Sequence, residues 1–434
     1  MLIAFVSSFI ANPFMGFNVF VGLSGILIWY VFLADLFSPN NFKSFIPKKV
    51  YLIIIFIAFY GILLGILNTG SHLSPGKVSN TYQLINVTIY ILTIAAFLKI
   101  SGNSFAIPEY RYKIIKFFTF SAFIQLLSFF LIHYSSSDFI PEFLRGSNVV
   151  ADEVDKQLYG IDRFSGLIGD YELIVDYAII VIFFNLMLIQ REKRWLVPVL
   201  SMTSAIIIAS LSGTRSFYVV LLVIFVLIVL LSLIYSAINK RILKIGIIIS
   251  VVFLLIYYFV LKDLVIFERL EFAIELYKGG AGIEEASNRN LTAGIPEIIS
   301  TVPLTGSGSF FFFALKNNPM VSHNLLFALY VKYGILGVGT FLLFVGSLFF
   351  NLLKKLRNER IINNKIEIIY ILSFFAGLFL QEMKISALRY FQTMLVYAIF
   401  FLFIYAHIKS KNDSSEQVIK KRILQKENNN VTYF

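Results

Sequence analysis

A polar stretch from Asn288 to Asn324 interrupts the apolar second half of the sequence and carries side chains that could do chemistry. A guanidinium such as that of Arg289 forms charge-assisted hydrogen bonds to phosphate. His323 follows Ser322, which we expect to cap the helix that His323 opens; an imidazole there favours its neutral form and can exchange a proton. A solvated arginine and a histidine satisfied by the backbone are the alternatives. Because long loops in compact chains are usually functional, we expect a site here.

Arg215 lies in the only break of another long apolar segment. Residues 195–236 would form a helix of about 63 Å, twice the thickness of the hydrocarbon core, and only Ser212-Gly213-Thr214-Arg215 can interrupt it. We therefore expect Arg215 at the tip of an outward hairpin. A cation opposes the dipole of the helix that follows, but a guanidinium and free backbone N–H groups together can bind phosphate. An arginine that reaches the lipid headgroups is the alternative.

Other polar residues give weaker indications. Arg163 precedes an apolar run, and Glu382, Lys384 and Arg389 lie between the last two such runs, as either a structural ion pair or a substrate gate. Spacing alone pairs no two acidic residues as acid and base. The chain has no Cys and four widely separated His, so we expect a mechanism without metal or cofactor.

The elements that must position these residues are membrane helices. The chain is 58% hydrophobic, and its apolar residues fall in blocks long enough to cross about 30 Å of hydrocarbon. This pattern predicts an all-α polytopic membrane protein with 11 or 12 transmembrane helices. Residues 1–15, interrupted by Asn12-Pro13, are the candidate twelfth span. The other predicted spans are 18–37, 48–67, 83–99, 113–133, 172–190, 195–211, 216–236, 243–261, 334–354, 366–384 and 388–407.

The basic residues predict how the chain crosses the membrane. Most of the 37 Lys and Arg fall in every second loop, including 99–116, as expected for cytoplasmic loops, so the formal charge of +12 indicates topology rather than nucleic-acid binding. Residues 1–408 then form one transmembrane domain with external loops 134–171 and 262–322. We expect short helices in the second loop and a cytoplasmic polar tail at 409–434.

Six short segments follow one another in a characteristic order and spacing. They are Arg163-Phe164-Ser165-Gly166, Ser212-Gly213-Thr214-Arg215-Ser216, Arg289, Pro303-Leu304-Thr305-Gly306-Ser307-Gly308, Ser322-His323-Asn324-Leu325-Leu326 and Lys332-Tyr333-Gly334-Ile335-Leu336-Gly337. In their order and spacing, these segments resemble the O-antigen ligase and polysaccharide polymerase superfamily of bacterial envelopes, best over residues 163–345. The resemblance implies a membrane glycosyltransferase with a large external loop, acting on glycans carried by polyprenyl diphosphate.

The resemblance also implies roles for individual residues. Arg215 and Arg289 would bind the diphosphate, His323 would lie at the reaction centre, and Arg163 and Asn324 would be further substrate contacts. The expected location is the cytoplasmic membrane, with the active-site loops outside. The expected partners are the lipid-linked donor and acceptor and the bilayer; a chain-length regulator and a flippase are further candidates.

Three functions remain open from the sequence. A polymerase would join lipid-linked repeat units of O-antigen or capsule, and we favour it because the chain has no separate acceptor-binding domain. A ligase would transfer the glycan to lipid A core or another acceptor. A transporter of lipid-linked sugars fits less well, because spans 48–67, 216–236 and 243–261 carry almost no polar residues for a midplane pathway.

Overall fold

The described part of the chain is built from α-helices and contains no strand. The computed structural model describes residues 26–33, 46–67, 80–134, 171–192, 195–212, 214, 216–237, 302–306, 324–384 and 394–409. The helices are α1 (26–33), α2 (Lys48–Leu67), α3 (Asn80–Ala106), α4 (Pro108–Tyr134), α5 (Tyr171–Arg191), α6 (Leu196–Leu211), α7 (Ser216–Ile234), α8 (Leu325–Asn358), α9 (Ile362–Lys384) and α10 (Met394–Lys409).

Within these residues, five helices are long and apolar enough to cross a membrane: α4, α5, α7, α8 and α9. Helices α2, α3, α6 and α10 contain shorter apolar segments. A backbone that satisfies its own hydrogen bonds within each helix is what a bilayer requires. The chain is therefore a polytopic α-helical membrane protein. Predicted spans 1–15 and 243–261, and most of 18–37, lie outside the described residues, as do the predicted external loops apart from 302–306.

Residues 99–116 are largely helical, so the prediction of a loop there is corrected. Helix α3 continues to Ala106 and α4 begins at Pro108, a residue suited to the first helical position because it has no N–H to leave unsatisfied. Apolar content marks only the hydrocarbon-spanning part of a helix, so it misses polar turns that extend into the interface. The Lys99 ammonium lies 5.0 Å from the centre of the Phe32 ring, which shows how such a turn packs.

Helix α5 lies at the centre of the bundle and is buried on nearly every side. It packs against α4, α6 and α9. Phe183 makes ring contacts with Phe374 of α9 (centroids 5.3 Å apart) and with Phe400 (5.0 Å) and Phe403 (5.6 Å) of α10. Edge-to-face packing of this kind is favourable for aromatic rings. The middle of the bundle is therefore an aromatic core.

A buried polar group joins α4, α5 and α6 beside this core. The Asn185 amide donates to Ser201 Oγ at 2.9 Å, and the Thr119 hydroxyl donates to Asn185 Oδ1 at 2.9 Å. Ser201 in turn donates to the Thr119 carbonyl at 2.8 Å. Because these side chains satisfy one another, they can lie in an apolar bundle.

Helix α7 is apolar on all sides and buries only one face. Its buried residues are Ser216, Phe217, Val220 and Ile224. Ile224 and Val220 pack against Gly377 of α9, so the two antiparallel helices approach closely there. The exposed residues on the other face, such as Leu222 and Phe225, suit contact with lipid tails.

Candidate functional site

A turn at residues 302–306 docks onto a break in α8. The Ile335 N–H donates to the Leu304 carbonyl at 2.9 Å, which ties the turn to the helix. Two tyrosine hydroxyls hold the turn further: Tyr60 of α2 donates to the Thr305 carbonyl at 2.9 Å, and Tyr330 donates to the Val302 carbonyl at 3.4 Å. The described part of the 303–308 motif, residues 303–306, therefore packs on the 332–337 motif.

Two glycines make this docking possible. Gly334 breaks the helical path of α8 with φ 60° and ψ −155°, and Gly306 in the turn has φ 89°. A Cβ on Gly334 would overlap the Leu304 carbonyl oxygen, and one on Gly306 would lie 2.7 Å from the Lys332 carbonyl oxygen. Both positions therefore require glycine for backbone conformation and for space.

Asn324 caps α8 at the end of the candidate loop. Its backbone is extended, and its Oδ1 accepts hydrogen bonds from the N–H groups of Leu326 (2.9 Å) and Phe327 (3.4 Å). The prediction that Ser322 caps this helix and that His323 opens it is therefore wrong by two residues. Asparagine caps as well as serine does, and sequence alone does not choose between two candidates that lie two residues apart.

Lys332 is a buried lysine that lies beside the docked turn. The residue is 1% exposed, and its Nζ lies 5.1 Å from the centre of the Tyr333 ring. Lys332 belongs to the 332–337 motif, in which the sequence indicated no role for this residue. Its position two residues before the glycine that breaks the helix was the available signal.

The predicted break around Arg215 is confirmed. Helix α6 ends at Leu211 and α7 begins at Ser216. The hydroxyl side chains of this turn are buried: Ser212 donates to the Ala209 carbonyl at 2.7 Å, and Thr214 lies beside it. Ser216 Oγ is buried with no hydrogen-bond partner in the part of the chain that the structure describes. The turn is thus a buried polar region next to Arg215.

A pair of buried carboxylates lies where α5, α9 and α10 meet. The Tyr397 hydroxyl is 3.4 Å from Asp176 Oδ1 and also interacts with the Glu382 carboxylate. These two acidic residues could not be paired from the sequence, because they are more than 200 positions apart and meet only through helix packing. The predicted ion pair of Glu382 with Lys384 and Arg389 involves side chains outside the described ones.

Gln381, next to Glu382, is fully buried. Neither its amide oxygen nor its nitrogen has a hydrogen-bond partner among the described residues. Gln381 lies one turn beyond Gly377 on α9, and Ser216 lies one turn before Val220 on α7. Because Val220 packs against Gly377, the two unsatisfied side chains lie towards the same end of the α7–α9 contact. Buried polar atoms without partners cost free energy and are typical of functional sites.

The remaining predicted site residues are outside the described part of the chain. Arg163, Arg215, Arg289 and His323 all fall there, and Asn324 alone has a described contact, the helix cap. The structure describes three elements next to these residues in the sequence: the capped start of α8, the turn 302–306 and the Ser212–Ser216 turn. Of these, it shows the turn 302–306 in contact with α8.

The fold and these elements define the class of the protein as a polytopic α-helical membrane protein with buried polar groups near the ends of its helices. Comparison with protein-family models and with curated proteins found no match for the chain. Its function is therefore argued from its own residues.

Proposed function

We propose that the protein polymerises lipid-linked oligosaccharide repeat units into surface polysaccharide, by glycosyl transfer from polyprenyl diphosphate at the outer face of the cytoplasmic membrane. One observation carries the proposal: the turn of the 303–308 motif packs onto the helix break of the 332–337 motif. These motifs belong to the series that resembles the O-antigen ligase and polysaccharide polymerase superfamily. Their contact supports a shared site rather than a chance sequence pattern.

The proposed reaction needs cations for the leaving group and a proton acceptor for the nucleophile. An acceptor sugar hydroxyl attacks the anomeric carbon of the donor, the bond from that carbon to the diphosphate oxygen breaks, and the diphosphate leaves with the electron pair. Arg215 and Arg289 stabilise it, with Arg163 and Asn324 as further contacts. Charge-assisted hydrogen bonds contribute about 1.5–3 kcal/mol each, so two or three arginines can act without a metal.

His323 is the proposed base or orienting residue, and the buried carboxylates add a second proton acceptor. Asp176 lies near the start of α5 and Glu382 near the end of α9, and the charge pattern assigns both ends to the outer side. A phenol between two carboxylates can hold a shared proton in place. The unsatisfied Ser216 and Gln381 side chains can donate to and accept from sugar hydroxyls.

A ligase is the second candidate function, because the chemistry at the donor is the same and only the acceptor differs. The glycan of a deletion strain separates the two. Loss of a polymerase leaves acceptors capped with a single repeat, whereas loss of a ligase leaves long lipid-linked chains that never reach their acceptor. A transporter would move lipid-linked sugar without lengthening it.

Elongation of a defined lipid-linked repeat by the purified protein in detergent tests the proposal. We expect Arg215→Ala, Arg289→Ala and His323→Ala each to abolish elongation, and Glu382→Gln to slow it by about a hundredfold or more, the usual range for loss of a proton-transfer group. Arg357→Ala, at the far end of α8, is the matched control and should elongate normally.

Two outcomes would contradict the proposal. Normal chain length in the Arg215, Arg289 and His323 variants would remove the site assignment. Movement of the substrate across vesicles without any elongation by the wild-type protein would identify a transporter instead.

A further inference from the structure

A second polar cluster joins the opposite ends of α5, α9 and α10. Arg191 Nε donates to Glu367 Oε1 at 3.0 Å, and Arg191 Nη2 donates to Glu367 Oε2 at 3.2 Å. His407 Nδ1 lies 3.5 Å from the same Oε2 atom. The charge pattern predicts the cytoplasm at this end. The cluster lies 15 residues along α5 from Asp176, and so belongs to a different site.

Arg111 of α4 adds a buried guanidinium to this cluster. The residue is 7% exposed, and its Nε has no hydrogen-bond partner within the described ranges. Its charge interacts with those of Arg191 and Glu367, and with that of the exposed Glu109. A buried guanidinium with an unsatisfied donor beside a second arginine is costly, because like charges repel and the lost hydration is not replaced.

Among the described residues, the cluster has donors left over for an anion. A guanidinium has five N–H donors, and the Glu367 carboxylate accepts two from Arg191, so three of the Arg191 donors have no described partner. The Arg191 side chain is 29% exposed, against 12% for Glu367, so it opens the cluster to the surface. An incoming anion would thus meet Arg191 at the surface, and the buried guanidinium of Arg111 interacts with the same charges.

The surroundings of the cluster are also positive. Lys355 of α8 donates to the carbonyls of His407 (2.6 Å) and Ile408 (2.7 Å), which fixes its charge beside the end of α10. Lys113, Lys116, Arg357 and Lys409 are exposed on the same helix ends. Basic pockets between helices at the cytoplasmic side are typical binding sites for anionic headgroups.

We propose that Arg111 and Arg191, with Glu367 orienting Arg191, form a binding site for a phosphate group at this end of the bundle. The ligand chemistry is an anionic phosphate group, present either as the phosphate ester of an anionic phospholipid or as free inorganic phosphate. Bound phosphate accepts from the leftover Arg191 donors and from Arg111, and it offsets the repulsion between the two cations. The site is independent of the proposed transfer reaction.

Calorimetric titration of the purified full-length protein in detergent tests the site. We expect dioctanoyl phosphatidylglycerol to bind and dioctanoyl phosphatidylcholine, which has no net charge, to bind at least tenfold more weakly. Arg111→Gln should weaken phosphatidylglycerol binding by about tenfold or more, the effect of losing a charge-assisted hydrogen bond. Lys113→Gln, an exposed cation on the same helix, is the matched control and should change binding by less than about twofold.

Inorganic phosphate at constant ionic strength distinguishes the two sources. Displacement of the lipid by phosphate identifies free phosphate as a ligand, and binding that phosphate does not disturb identifies the lipid headgroup. Arg111→Lys keeps a positive charge and tests whether weaker binding results from misfolding. We expect an unfolding temperature near that of the wild type and weaker lipid binding. Two outcomes would overturn the proposal. One is equal binding of both lipids by the wild type with no effect of phosphate. The other is equal lipid affinity in Arg111→Lys and the wild type.

Discussion

Gly334 is where the local backbone and the candidate site depend on each other most directly. Its positive φ breaks α8, and the Leu304 carbonyl occupies the space that a side chain would need. At φ 60° and ψ −155° the backbone lies in a region that is essentially open only to glycine, and another residue there costs about 1–3 kcal/mol before any overlap is counted. Gly334 therefore determines both the break in α8 and the place where the 302–306 turn docks.

We expect Gly334→Ala to lower the free energy of unfolding by about 1–3 kcal/mol and to displace the 302–306 turn. The reason is that alanine adds strain and a clash at once. Thermal unfolding in detergent measures the first effect, and elongation activity measures the second. Gly346→Ala is the control, because a Cβ there meets nothing within 4 Å and alanine favours the helix. Equal stability of the two variants would contradict this account.

At the residue scale, the sequence predicts motifs better than contacts. The Ser212–Ser216 break and the 303–308 turn could be predicted because glycine, serine and proline interrupt apolar segments. The Asp176–Tyr397–Glu382 group and Gln381 could not, because their proximity depends on which helices are neighbours. The cap of α8 was predicted at Ser322 rather than Asn324 because both residue types cap helices well.

Asn185 shows how polar side chains connect neighbouring helices inside the bundle. It accepts from Thr119 of α4 and donates to Ser201 of α6, while its own helix provides a further acceptor in the Val181 carbonyl at 2.8 Å. In a membrane, where apolar surfaces gain little by leaving lipid for one another, such bonds and close packing hold helices together.

Asn185→Ala should destabilise the protein by about 0.5–2 kcal/mol, because α4 and α6 lose their shared contact on α5. Thr119 and Ser201 keep other partners, which limits the loss. Ser204→Ala is the matched control: Ser204 bonds only to the Leu200 carbonyl of its own helix in the described part of the chain. Denaturation in mixed micelles compares the two, and a larger loss in Ser204→Ala would refute the explanation.

At the element scale, hydropathy located the helices but not their ends. Predicted spans 48–67, 172–190 and 195–211 agree with α2, α5 and α6 within a residue or two, whereas α3 and α8 extend well beyond the spans predicted for them. The residues of α3 and α8 beyond the predicted spans are polar or are separated from the span by a glycine break. Hydropathy therefore does not identify them as helical. Which helices pack together is a further property that apolar periodicity leaves open, since α7 is apolar all round.

The described bundle has an apolar middle between two charged ends. On α5, Asp176 and Arg191 are 15 residues apart, about 22 Å of helix, and Glu382 and Glu367 have the same spacing on α9. The phenylalanine rings lie between them. This separation approaches the thickness of a hydrocarbon core, so both charged groups lie near the membrane surfaces.

Cysteine labelling tests the orientation of the whole molecule, because the chain has no cysteine of its own. We expect Leu304→Cys to react with a membrane-impermeant maleimide in intact spheroplasts, since Leu304 is exposed in the turn predicted to lie outside. Arg360→Cys, in the short link between α8 and α9, should react only after the membrane is permeabilised. The reverse pattern would invert the topology and place the proposed active site in the cytoplasm.

The break in α8 divides this helix into unequal arms. The 34-residue helix has a long arm of residues 335–358, about 36 Å, which alone can cross the membrane, and a short arm of residues 325–333, about 14 Å. A ten-degree change of angle at Gly334 would move the tip of the short arm by roughly 2 Å, as a lever of that length requires. The turn 302–306, docked at this break, opposes such bending. It thereby determines where the chain enters α8, immediately after His323.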